Sequence, residues 1–134
     1  MTTVTYLPAT ITTPVFESGG ELCAGRDYLV SVARRTAGGE VEIHDLETDT
    51  FHVLEGSATL VVGGTVIGLR TTAPGQHRGT AIEGGESFAL HPNDVIVIPA
   101  GIPHWFKDVA GVIRYYVVKV IDVQDRGSRP PSDG

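Results

Sequence analysis

Residues 93–108 read NDVIVIPAGIPHWFKD. An apolar run that reads as a buried strand, Asp94–Ala100, stops at Pro99. The chain reverses through Pro99-Ala100-Gly101-Ile102-Pro103 and restarts on His104. Pro99 and Pro103 fix φ, and Gly101 accommodates the unusual φ of a tight turn. The stretch is therefore a rigid platform for one side chain, and that side chain is a histidine. A lone histidine is not a site, so its partners must come from elsewhere in the chain.

The second stretch that gathers such residues is VEIHDLETDTFHVLEG, residues 41–56. Strand alternation puts Glu42 and His44 on one face. After a turn at 46–48, Asp49 opens the next strand, where it can meet that face. Imidazole nitrogen and carboxylate oxygen on a rigid scaffold suit a divalent cation. By the same alternation His52 points away from Asp49 and Phe51. Asp45 and Glu47 read as solvated turn residues, and Glu55 belongs to the next turn.

Between and around these stretches the chain is a succession of strands. Residues 28–36, 40–45, 65–72, 86–91 and 111–122 are β-branched or alternating. Residues 49–56 and 57–64 read as a hairpin about Glu55-Gly56-Ser57, and 101–109 as a separate strand before 111–122. Residues 73–86 hold four glycines and a proline and read as a long loop or ragged hairpin, able to lie over a site as a lid. Residues 1–27 read as an extended arm with a strand near Val4–Leu7, and 123–134 as a disordered tail. No amphipathic helix of useful length is expected. Seventeen glycines and eight prolines in 134 residues mark an all-β chain of many turns, and one domain of this size closes most economically as a double-sheet jelly roll.

Composition excludes several classes. The net charge is −6, and the ten cations are scattered rather than gathered on one face. That argues against nucleic acid as a partner. The apolar runs are too short to span a membrane, and residues 1–16 lack the pattern of a signal peptide. A single cysteine, Cys23, permits no internal disulfide and fits a cytoplasmic protein.

The two stretches together resemble the two motifs of the cupin superfamily. The second motif runs Gly, five residues, Pro-x-Gly, two residues, His, three residues, Asn. Here it is Asn93, five residues, Pro99-Ala100-Gly101, two residues, His104, three residues, Asp108. The first motif runs Gly, five residues, His-x-His, three or four residues, Glu, six residues, Gly. Here it is Glu42-x-His44, four residues, Asp49, six residues, Gly56, with the opening Gly displaced to Gly38 or Gly39. The resemblance covers residues 28–122. It implies a double-stranded β-helix barrel, a metal-ligand set of His44, His104, Asp49 and Glu42, one divalent ion (Fe, Mn, Zn or Ni), and a homodimer. Phe51, Phe106 and Tyr116 are expected to line a pocket for a small-molecule substrate; of Arg34 and Arg35, adjacent on one strand, one faces inward, taken as Arg35, where it can anchor a carboxylate, with Arg114 a weaker candidate for the same role. The expected activity is a metal-dependent oxygenase, isomerase or lyase. A non-catalytic binding protein for a sugar or organic acid, and a metal-free dehydratase or epimerase with His44 or His104 as base, stay open beside it.

Overall fold

A computed structural model describes residues 3–123 of the chain. Strands dominate it, nearly all antiparallel neighbours. Two of them organise the rest: β4, Glu47–Val62, and β11, His104–Ile121. They pair along their whole length, from His104 opposite Val62 to Ile121 opposite Glu47. Each is long enough to belong to two sheets.

The first sheet uses the early half of β4 and the late half of β11. Beside β11 lies β2 (Tyr28–Arg35) and then β1 (Gly20–Ala24), and beside β4 lies β10 (Val95–Ile98). The second sheet uses the other halves. There β9 (Glu86–Leu90) pairs with β4. The start of β11 meets β3 (Val41–His44), followed by β7 (Gln76–Gly79) and β6 (Arg70–Ala73). A two-stranded ribbon, β5 (Thr65–Ile67) and β8 (Ala81–Glu83), packs through Val66 and Ile82 on Val41, Val61 and Trp105. This is the double-stranded β-helix expected for the chain.

The corner between sheets explains why two predicted hairpin arms are one strand. Gly56 sits at φ +84°, and a Cβ there would fall 1.8 Å from the Val112 carbonyl oxygen. β11 answers with register shifts between Ala110 and Tyr115, local irregularities of the kind that sharpen strand bending. The expected hairpin is thus one bent strand, Glu47–Val62, and 101–122 likewise carry one strand, His104–Ile121. Turn-forming residues supplied the bend without reversing the chain.

Between the sheets, alternate residues of β4 (Phe51, Val53, Ala58, Leu60) pack on Phe106, Ile113, Tyr115 and Val117 of β11, with Leu90 and Ile98 closing the core. β10 departs from its reading as a buried strand. It pairs only with β4, and Val95 and Val97 face outward at 61% and 55% exposure.

The N-terminal segment is also not an extended arm. Residues Ala9–Ser18 form helix α1, and β1 follows. The helix buries no residue fully and carries Pro14, so propensity does not account for it. Tertiary contact does, as it commonly overrides propensity: Phe16 meets Tyr116 edge-on, and Arg114 Nη1 donates to the Glu17 carbonyl at 3.0 Å. Arg114 also pairs with Glu55. It is a strut on the outer face and not a substrate anchor. No helix among the described residues is long and apolar enough to cross a membrane. The expected tail, apart from Val123, lies outside the described residues.

Candidate metal centre

Three strands bring the predicted ligands together. Glu42 and His44 come from β3, Asp49 from the start of β4 and His104 from the first residue of β11. Cross-strand pairing sets His104 opposite Glu42, while the Gly101 N–H donates to the His44 carbonyl at 2.8 Å. That bond fastens the Pro-Ala-Gly turn to β3. Gly101 has φ +83° with open space around it, so it serves the turn's conformation and not a close approach.

His44, Asp49 and His104 are buried, a costly arrangement for polar side chains without partners. Each imidazole is oriented by a partner that can only accept. His44 Nδ1 lies 2.6 Å from Gln76 Oε1. The amide orientation follows from its other end, because Gln76 Nε2 donates to Glu47 Oε2 at 3.1 Å. His104 Nδ1 lies 3.1 Å from the Ile102 carbonyl. Both Nδ1 atoms therefore carry hydrogen, and both Nε2 atoms turn inward. This is how metal-ligating histidines are commonly set by an outer layer of acceptors.

Toward those Nε2 atoms point two carboxylates. Glu42 Oε1 lies 3.2 Å from His44 Nε2. Asp49 Oδ2 lies 3.8 Å from His44 Nε2 and 3.6 Å from His104 Nε2. The donor atoms of Glu42, His44 and His104 all lie within 4.8 Å of one another. Donors that share an ion at about 2.0–2.2 Å stand at most roughly 4.4 Å apart, so small side-chain adjustments would bring this set onto one. The residues fit a divalent ion with nitrogen and oxygen ligands, and the cluster could hold one.

Titration reflects the same crowding. Burial pushes the Glu42 carboxyl up, but the His44 hydrogen bond and the charges of Arg78, His104 and Arg35 outweigh it and lower it to about 2. Burial pushes His44 down, yet its bond to Glu42 leaves it above the ordinary imidazole range. His104 has no such bond, and burial holds it below that range. His44 Nε2 and Glu42 Oε1 thus face each other at 3.2 Å where a cation would be held.

The cavity beside the cluster measures about 160 Å³ and is lined by Arg35, Phe51, Phe106, Tyr115, Val117 and Lys119, among others. Phe51, Phe106 and Arg35 stand where the sequence placed them. Tyr116 does not: it lies opposite His52 on the outer face and packs on α1. Tyr115 takes the inward place. The register shift between Arg114 and Tyr115 sets Tyr115 opposite buried Val53, and opposed residues share a face. A larger, more open hollow of about 640 Å³ beside Arg26, Asp27, Thr48 and Val120 holds none of the four converging donors.

Several participants escaped the sequence reading. Glu47, taken for a solvated turn residue, is largely buried and accepts from Gln76 and from Lys119 Nζ at 2.9 Å. Lys119 also stands 3.1 Å from Asp49 Oδ1, although that oxygen lacks a well-angled hydrogen bond. Burial opposes the Lys119 charge, but Glu47 and Asp49 more than restore it and raise its pKa. Lys119 was detectable, since it continues the inward alternation Tyr115, Val117, Lys119. Gln76 and Arg78 lay in the glycine-rich stretch and carried no signal. That stretch forms β7 and β8, wall rather than lid. Asp45 does sit at the surface, paired with His77 at 3.0 Å.

Comparison with known proteins agrees with this geometry at the level of fold. The cupin domain of Schizosaccharomyces pombe Cnp3 superposes with a TM-score of 0.56 at 17% identity, covering 78% of this chain and 60% of that one. A cupin superfamily protein of Desulfitobacterium hafniense gives 0.54 at 18% identity, over 78% and 76%. The DMSP lyase DddQ of Ruegeria pomeroyi gives 0.51 at 19%, over 75% of this chain and 41% of that one. The class is therefore defined: the chain has the cupin fold. No protein-family model and no curated protein matches the sequence.

Proposed function

We propose that this chain is a metal-binding cupin enzyme that acts on a small polar organic molecule. One observation carries the reading: two buried imidazoles, each held by an acceptor at Nδ1, turn both Nε2 atoms toward the carboxylates of Glu42 and Asp49. His44, His104, Asp49 and Glu42 would hold the ion. When bound, such an ion supplies Lewis-acid polarisation of a substrate oxygen. The chain's own groups do the rest. Phe51, Phe106 and Val117 give the cavity one apolar wall, Tyr115 presents a hydroxyl whose pKa burial raises, Lys119 stands beside Asp49, and Gln76 orients His44. The structural neighbours, below 25% identity, support the fold and not a particular substrate.

Elemental analysis of protein purified without chelator tests this directly. The expected result is close to one divalent ion per chain, lost in His44→Ala and in His104→Ala. Wild-type protein without metal after growth and dialysis in metal-supplemented buffer would sink the proposal. A metal-free acid–base enzyme would then take its place. The 3.2 Å contact between His44 and Glu42 favours that second reading, because such a pair can take up and return a proton.

A further inference from the structure

Glu42 faces two ways. Its Oε1 meets His44, while its Oε2 lies 3.3 Å from Arg35 Nη2 and 3.6 Å from Arg78 Nη1. Two guanidinium groups from different strands thus converge on one carboxylate oxygen beside the cavity. Arg35 is held firmly: its Nε donates to the Tyr115 hydroxyl at 2.9 Å, and its Cζ lies 4.7 Å from the centre of the Phe106 ring. Those contacts use Nε and Nη2. Among the described residues no acceptor meets Nη1, which sits against the notch left by Gly39, where a Cβ would come within 2.8 Å. A fixed guanidinium that lines the cavity and keeps donor capacity at Nη1 can hold a second carboxylate beside Glu42 by a charge-assisted hydrogen bond.

Charge points the same way. Around the site Arg35, Arg78 and Lys119 balance Glu42, Glu47 and Asp49 one for one. A divalent ion held by the site leaves an excess of positive charge, which an anionic ligand offsets. The cavity of about 160 Å³ is below the roughly 300–1,000 Å³ of sites for drug-sized ligands. Beside the charged and imidazole groups, its lining is Phe51, Phe106, Tyr115, Val117 and Ser31.

From these features we infer that the ligand is a small carboxylate with a short body, anchored by Arg35 and drawn in past Arg78. The inference deepens the proposed function and rests on its metal reading. Arg35 is the specificity-determining residue, because it alone of the two arginines lines the cavity. Arg78, partly exposed and 3.6 Å from Glu42 Oε2, is a steering residue that adds to affinity mainly through its charge.

Calorimetric titration of the metal-loaded protein with acetate, propionate and pyruvate, and with pyruvamide as the uncharged match, tests the inference. Pyruvate is expected to bind at least tenfold tighter than pyruvamide. Arg35→Met should weaken pyruvate binding at least tenfold while metal content stays at the wild-type level. Arg78→Met should weaken it a few-fold and flatten its dependence on salt. Should Arg35→Met fail to fold, Tyr115→Phe releases the guanidinium without removing its charge and is expected to cost about threefold. Equal binding of pyruvate and pyruvamide overturns the inference. So does the failure of all three carboxylates to bind protein that holds its metal, a result that leaves the proposed function standing. A wild-type protein without metal overturns the proposed function itself, and with it the charge excess invoked here.

Discussion

Gly56→Ala is the sharpest test of how this fold is built. Gly56 turns β4 from one sheet into the other at φ +84°, and an added Cβ would lie 1.8 Å from the Val112 oxygen, 2.8 Å from its carbonyl carbon and 2.9 Å from Ile113 Cα. All three are backbone atoms of β11, so no rotamer change relieves the overlap. Two costs add. A left-handed conformation costs an L-residue about 1–2 kcal/mol, and forcing a methyl into a packed site costs about 1–3 kcal/mol. The expected loss is about 2–5 kcal/mol, a large share of the roughly 5–15 kcal/mol that holds a domain folded. Gly63 supplies the control. It has a similar φ of +74° with nothing within 4 Å, so Gly63→Ala incurs only the conformational cost. Urea unfolding of both variants in chelator, which removes any stabilisation by metal, isolates the overlap as their difference. At about 4 °C per kcal/mol, Gly56→Ala should melt about 8–20 °C below wild type and Gly63→Ala about 4–8 °C below. If Gly56→Ala is no less stable than Gly63→Ala, the corner is not the constraint described.

Three further outcomes are expected. In chelated protein Glu42 stabilises the fold above its unfolded pKa near 4.5, and this is lost as pH falls toward its folded value of about 2. At about 1.4 kcal/mol per pH unit the contribution is roughly 3 kcal/mol, so Glu42→Gln should be less stable than wild type at pH 7 and converge with it near pH 2; a gap that does not narrow in acid refutes the assignment. Leu60→Ala removes a side chain with 0% exposure and should cost about 2–5 kcal/mol in chemical denaturation; a loss below 1 kcal/mol would mean that the core relaxes around the void. Tyr116→Phe should leave metal content and ligand affinity at wild-type values while Tyr115→Phe lowers affinity, and the reverse pattern would return Tyr116 to the pocket.

Much of the site was legible because spacing along a strand dictates facing. Glu42 and His44 needed only alternation, and His104 needed only two prolines and a glycine to hold a turn. What failed was the reading of glycine as reversal. Glu55-Gly56-Ser57 has the composition of a hairpin tip, yet the chain continues, because positive φ serves a corner as well as a turn. The same ambiguity hid β7 inside a stretch of four glycines, and with it Gln76 and Arg78. Tyr116 was misplaced for a related reason: a register shift in β11 changes which face a residue meets without any mark in its own identity. Helix α1 was missed because its support is tertiary. Phe16 and the Glu17 carbonyl find their partners about a hundred residues away on β11.

The shared strands have a consequence in time as well as in space. Glu47 pairs with Ile121 and Val62 with His104, so the ladder that seats Asp49 and His104 closes loops of several dozen residues before any of its contacts is repaid. Such topologies fold slowly, on the scale of milliseconds to seconds. During synthesis β3 and most of β4 emerge long before their partner strand exists, and Asp49 waits beside an absent Lys119. The four candidate ligands therefore come together only once β11 has been made. If the cluster holds a cation as proposed, that binding reports completion of the barrel through β11, and no fragment that ends before β11 should show it.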